Sequence, residues 1–203
     1  MKVAFDEHVP SALAKVFIAL AKERAIRRVS GDIRLERASD YAPKIGDNDY
    51  VRKNDVPWLD RFGAAGGHAV ISGDTKMRHR VHERLALYQH GFVVIFFEPQ
   101  WGSWTFFRKT ALMVHWWEAI CDRIKRAERA TFWAVPSAWP QRGGELRNVS
   151  LGLAQLLKDK PRTSEIPRTR RQRSSRPAAE LKNGQQARLF DRVEQRNARN
   201  KEG

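Results

Sequence analysis

The chain has a single cysteine, Cys121, among its 203 residues. No internal disulfide and no multi-cysteine zinc site can form, so stability must come from packing. Long apolar runs are also missing. The longest, Val16 to Ala21 and Phe92 to Phe97, fall far short of the roughly 20 residues a bilayer requires. The opening Met1-Lys2-Val3-Ala4-Phe5-Asp6-Glu7 turns acidic where a secretory signal would need its hydrophobic segment, so the expected location is the cytoplasm, with no membrane partner. There is no GxxxxGK loop and no GxGxxG, and Ser72-Gly73-Asp74 lacks the nucleophile-elbow pattern. These absences remove ATPase, dinucleotide-enzyme and serine-hydrolase chemistry. His79 and His82, followed by Glu83, do not have the zinc-protease spacing.

Negative charge is scarce as well. There are 23 Asp and Glu against 38 Lys and Arg, a net charge of +15, which favours polyanionic partners. Residues 158–203 carry 14 basic and 6 acidic residues, about half of that excess. Within them, Thr163 to Pro177 is too poor in apolar residues to build a core. The expected organisation is a folded domain over residues 1–157 followed by a flexible basic arm over 158–203, with Leu181, Leu189, Phe190 and Val193 offering at most a short amphipathic helix.

Along the folded part, strand and helix signals alternate. Lys2 to Phe5 reads as a strand, and Pro10-Ser11 opens a helix with Leu13, Phe17 and Leu20 at helical spacing. Residues 27–50 are irregular; a strand is expected near Arg27 to Val29 and then a loop. Asn54-Asp55-Val56-Pro57 starts a helix that buries Val56, Leu59 and Phe62, and Gly66-Gly67 ends it before the strand His68 to Ser72. A helix with Met77, Val81, Leu85 and Tyr88 on one face follows, then the strand Phe92 to Phe97. The longest helix carries Phe106, Thr110, Met113, Trp117, Ile120 or Cys121, and Ile124, and Thr131 to Val135 and Ser150 to Lys158 supply a last strand and helix. Uninterrupted apolar strands are what a parallel sheet covered on both faces requires, so the class is α/β.

Ligand sites of such sheets gather at the carboxyl ends of the strands, where Asp6-Glu7, Asp74 and Glu98 fall. Asp55 begins a helix at the same edge. Carboxylates crowded together repel one another unless a cation neutralises them, and hard oxygen ligands select Mg²⁺ or Mn²⁺. An acidic metal pocket in a basic protein points to phosphate chemistry. Taken singly, Asp55 and Asp74 are better explained as helix N-caps, and Glu7 as a solvent-facing acid; the functional reading rests on the set.

The segments MKVAFDEHVP, Asn54-Asp55-Val56-Pro57-Trp58 and His68-Ala69-Val70-Ile71-Ser72-Gly73-Asp74-Thr75, in that order and spacing, resemble the PIN-like family of VapC-type toxin ribonucleases. The run Phe92 to Phe97, leading to Trp101-Gly102-Ser103-Trp104 and a helix through Trp116-Trp117, is similar to the same family, so that the likeness covers about residues 1–135. The resemblance implies a compact three-layer fold around a mainly parallel sheet. It also implies a Mg²⁺-dependent endoribonuclease held inactive by a small antitoxin protein and pairing as a homodimer. Asp6, Asp55 and Asp74 match the family's catalytic, metal-binding acids, and Glu7 and Glu98 are the two candidates for a fourth. The arginine-rich arm is longer than the family needs.

Phosphate contacts are expected from the basic stretch beside Asp74, at Lys76, Arg78 and Arg80, and from Arg170, Arg171 and Arg173 in the arm. Trp58 and Trp117 fit buried helix faces, whereas Trp101, Trp104 and Trp139 lie in loops where stacking on bases competes with core packing. Two rival functions stand beside the nuclease. One is a non-catalytic nucleic-acid-binding protein with a degenerate PIN-like fold, acting through its basic arm. The other is a signalling domain with Asp6 as phosphoacceptor.

Overall fold

The computed structural model describes residues 1–51, 54–138 and 145–151. The boundary expected after residue 157, the arm with Arg170, Arg171 and Arg173, Trp139 and almost all of the helix expected over 150–158 lie outside the described residues. Strand β1 (Lys2–Phe5) leads into helices α1 (Ser11–Leu20) and α2 (Arg24–Ser30) and strand β2 (Arg34–Arg37). Helix α3 (Val56–Ala64), strand β3 (Gly67–Ser72), helix α4 (Val81–Gln89) and strand β4 (Val93–Phe97) follow. The long helix α5 (Phe106–Arg126) then precedes strands β5 (Phe132–Val135) and β6 (Arg147–Asn148).

The strands form one sheet in the order β2-β1-β3-β4-β5-β6, parallel throughout except for the antiparallel edge strand β6. Register explains why the strands read as unbroken apolar runs. Val3, Phe5, Ala69, Ile71, Val93, Ile95 and Phe97 share one face and pack under α1 and α5 with Leu13, Phe17, Met113, Trp117 and Ile120. The alternate residues Ala4, Val70, Val94, Phe96 and Phe132 face Trp58, Leu59, Phe62 and Leu87 from α3 and α4. With helices on both faces, residues of the inner strands are buried whichever way they point, as all five residues of β4 are. The result is the expected three-layer α/β architecture.

Two readings of local structure change. Residues 27–29, expected as a strand, belong to helix α2, because Ile26 and Val29 sit three apart and pack against the core. Ser30 at the helix end is buried and accepts a hydrogen bond from the Trp117 indole at 3.0 Å. The strand in this region is β2 instead. The second change is after Asp74, where residues 75–80 are turns and helix α4 starts only at Val81. Its fully buried positions are Glu83, Arg84, Ala86 and Leu87, while Val81, Leu85 and Tyr88 are half-buried. Gly66, at φ +80, takes the left-handed conformation that ends α3 and redirects the chain into β3.

The loop tryptophan Trp101 is 1% exposed and stacks on Phe97 at 4.4 Å between centroids. Trp104 is half-buried beneath the Arg108 guanidinium. Trp116 and Trp117 are both buried, so the side of α5 that carries Trp116 packs into the core. Among the described residues, no helix is long and apolar enough to cross a membrane.

Candidate active site

The chain leaves β1 towards β2 on one side and later returns to β3 on the other, so the sheet's topological switch point lies between β1 and β3. Crevices open outside the carboxyl ends of strands at such points, and Asp6 and Asp74 leave the sheet here. The Asp6 backbone N–H still bonds Ile71 O at 2.9 Å, extending the β1–β3 ladder by one residue. Asp6 is 2% exposed. Ser72, the last residue of β3, donates from Oγ to Asp6 Oδ2 at 2.6 Å and accepts the Asp74 backbone N–H at 2.9 Å, tying the two acids together.

Neither aspartate near a helix start serves as a cap. At the head of α3, Asp55 makes no capping hydrogen bond; Asn54 Oδ1 accepts the Val56 N–H at 3.0 Å instead. The Asp55 carboxyl is thereby left to the site, and burial raises its pKa, helped by repulsion from Asp6 and Glu7 and opposed by His8 and Arg80. Asp74 precedes turns rather than a helix. Its Oδ1 accepts the Lys76 backbone N–H at 2.9 Å, and its Oδ2 is buried without an aligned hydrogen-bond donor. Asp6 Oδ1 is buried without a partner too.

The fourth acid brought into this group is Glu83, which the sequence reading did not single out. It is 5% exposed and faces the site from the first turn of α4. Burial pushes its carboxyl up to about 7, against the hydrogen bond from Arg80, with Asp55 and Asp74 adding to the rise. The two expected candidates stand differently. Glu7 is exposed and reaches the cluster only as a charge felt by Asp55. Glu98 ends β4 as expected, but its carboxylate accepts the Ser137 backbone N–H at 2.7 Å and the Ser137 hydroxyl, and pairs with Arg147.

Two cations lie among the acids. Arg80 Nη1 is 2.9 and 3.0 Å from the two Glu83 oxygens and 3.8 Å from Asp55 Oδ2, and its Nη2 is 2.9 Å from Asp74 Oδ2. His8 places Nδ1 3.2 Å from Asp6 Oδ2 and Nε2 3.8 Å from Asp74 Oδ2. The hydrogen bond to Asp6 holds the imidazole at about 9, so it is protonated at neutral pH. The His8 turn sits close over Gly73, where a Cβ would come within 2.7 Å of His8 O and 2.8 Å of the Trp101 ring. Of the expected phosphate contacts, Lys76 is exposed, Arg78 is half-buried beside Glu98, and Arg80 is directed into the acid cluster.

Among the described residues, no group of three or more His, Cys, Asp or Glu side chains is disposed to hold a metal ion. The donor chemistry nevertheless fits a hard divalent cation: four carboxyls share one rim, and the buried Asp6 Oδ1 has no hydrogen-bond or ion-pair partner. Arg80 and His8 supply the positive charge that four clustered acids demand.

PIN-like domains are generally nucleases, and a basic protein with a carboxylate cluster at its switch point suits nuclease chemistry. No curated protein and no solved structure matched the chain. A family model described as a PIN like domain matches residues 1–99, the stretch that holds Asp6, His8, Asp55, Asp74, Arg80 and Glu83.

Proposed function

We propose that the protein is a Mg²⁺-dependent endoribonuclease, with Mn²⁺ as an alternative ion, acting as the toxin of a toxin–antitoxin pair in the cytoplasm. The observation that carries this reading is the meeting of Asp6, Asp55 and Asp74 with Glu83 at one sheet edge, with the buried Asp6 Oδ1 left without a partner. A divalent ion bound there would supply Lewis acidity to a water and to the scissile phosphate. The chain's own residues do the rest. Asp6, Asp74, Asp55 and Glu83 would hold the ion, and Ser72 fixes the relative position of Asp6 and Asp74. Protonated His8, half-exposed at the rim, attracts the phosphate, and exposed Lys76 guides the RNA backbone. An antitoxin protein and a homodimeric partner belong to this reading.

A second reading has its own support. The acids lack a metal-holding geometry among the described residues, and Arg80 occupies their midst, as a degenerate site that only binds nucleic acid would. Cleavage of a mixed RNA pool with Mg²⁺, with EDTA, and by Asp74→Ala and Glu83→Gln separates the two. Metal-dependent cutting lost in both variants supports the nuclease; tight binding with no cutting, unchanged by EDTA, supports the binding protein. Truncation after residue 157 adds a second criterion, since the nuclease keeps its chemistry and the binding protein loses most of its affinity.

A further inference from the structure

A second charged feature lies away from the acids. Helix α1 starts at the site edge and runs to the opposite edge of the sheet beside the outer strand β2. Between α1 and β2 is a groove of about 420 Å³ lined by Lys15, Lys22, Arg34 and Arg37 over a floor of Ile18, Ala19 and Leu35. It adjoins a second depression of about 400 Å³ at the turn into α2, lined by Lys22, Arg24, Arg27 and Arg28 with Gly31 and Asp32. Lys22 belongs to both, so the two make one continuous track. Because β2 is parallel to β1, its Arg37 end lies at the same edge as Asp6, and the track runs from that edge towards the opposite edge of the sheet.

The charges on this track are not balanced internally. Arg34 is paired with Glu36 at 3.0 Å and Arg37 with Asp40 at 2.7 Å. Lys15, Lys22, Arg24, Arg27 and Arg28 are all exposed and have no ion-pair partner among the described residues. Glu23 and Asp32 are the nearby acids in the chain that they do not pair with. Arg24 stands three and four residues from Arg27 and Arg28 on α2, a helix of seven residues with no acid in its first turn. Like charges at that spacing weaken a helix, and a cation in the first turn opposes its dipole. Arg27 and Arg28 suit the C-terminal end of the dipole, but Arg24 does not, and the three cations stand close together without an acid to offset them, as a bound polyanion would.

We propose that this track binds the backbone of single-stranded RNA, holding the strand that flanks the cleaved phosphodiester. The cations follow one line along α1 into α2, which suits one phosphate backbone rather than the two of a duplex. No aromatic ring lines the track to stack on a base, so recognition there is independent of sequence. The flanking role rests on the nuclease reading; the binding itself does not.

The test uses the full chain in EDTA with a fluorescein-labelled 20-nucleotide oligouridylate, so that binding is read without cleavage. Each phosphate neutralised on a single strand adds about 0.7 to the slope of log affinity against log salt. Arg24→Gln/Arg27→Gln/Arg28→Gln is expected to flatten that slope by about 2 relative to the wild-type chain. Localisation comes from acetylating the lysines with and without saturating oligonucleotide and reading them by mass spectrometry. Lys15 and Lys22 are expected to be protected at least fivefold, while exposed Lys44 is not. An unchanged slope, or Lys15 and Lys22 as reactive as Lys44 with oligonucleotide present, overturns the track. Equal protection by a duplex of the same length overturns the single-strand assignment. Protected lysines in a protein that cuts no RNA under Mg²⁺ would refute the nuclease reading and leave the track standing.

Discussion

Removing Arg80 tests whether it is the counter-ion of a metal-free acid site. In Arg80→Gln, Glu83 loses both of its bonds to the guanidinium, at 2.9 and 3.0 Å, and Asp74 Oδ2 loses a cation at 2.9 Å. Hydrogen bonds to charged groups contribute about 1.5–3 kcal/mol. The Arg80 side chain is 45% exposed, so solvent screening brings the expected loss down to roughly 1–2 kcal/mol. Urea denaturation in EDTA should register this as a midpoint lower by about 0.5–1 M. Adding Mn²⁺ should reverse the order, since the ion no longer has to displace a guanidinium and stabilises the variant more than the wild type. The sign of the pH dependence is also determined. Folded Glu83 keeps its proton to about 7 while the unfolded chain releases it near 4.5. Metal-free stability is therefore greatest below 4.5, by this contribution, and falls as pH rises through about 7. Without Arg80 to pull the Glu83 pKa down, the decline should extend to higher pH. Equal midpoints in EDTA, or a larger Mn²⁺ effect on the wild type, would refute the counter-ion role.

Ser72→Ala removes the hydroxyl that bonds Asp6 at 2.6 Å and receives the Asp74 N–H at 2.9 Å; a loss of about 2 kcal/mol is expected on denaturation, and an unchanged midpoint contradicts it. Gly73→Ala brings a Cβ to 2.7 Å from His8 O, so the His8 turn must move. NMR titration of the metal-free variant should then show the His8 pKa falling from about 9 towards 6.5. The buried Cys121 thiol, pushed up to about 11 by burial, should not react with a disulfide reagent at pH 8 in the folded protein and should react fully in denaturant.

Where the apolar pattern was strong, the fold was legible from the residues themselves. Val93 to Phe97 could only be an inner strand, and the spacing through Met113, Trp117 and Ile124 could only be a helix with a buried stripe. The edge was harder to read. In Arg34-Leu35-Glu36-Arg37 only Leu35 is fully buried, and such a strand exists because its backbone pairs with β1, which no side-chain pattern announces. Helix α2 was missed for a related reason. Its two half-buried apolar residues, Ile26 and Val29, are diluted by four charged or polar neighbours in a seven-residue segment, too short for periodicity to separate helix from strand.

The site divides along the same line. Asp6, Asp55 and Asp74 were legible because each follows or precedes an apolar element whose direction places its end at one edge. Glu83 was not, since it lies inside a helix that was expected to begin before Arg78, and with that start its facing towards the edge could not be assigned. Its signal was present in the pair Arg80 and Glu83, three residues apart across a helix start, where an arginine bound to a buried glutamate is free to meet further acids with its other nitrogen. His8 carried a similar signal, two residues beyond Asp6 in a turn short enough to fold back on it. Four carboxyls at one rim cannot all stay ionised alone. The positions of Arg80 and His8 follow from that requirement, which a divalent ion would also meet.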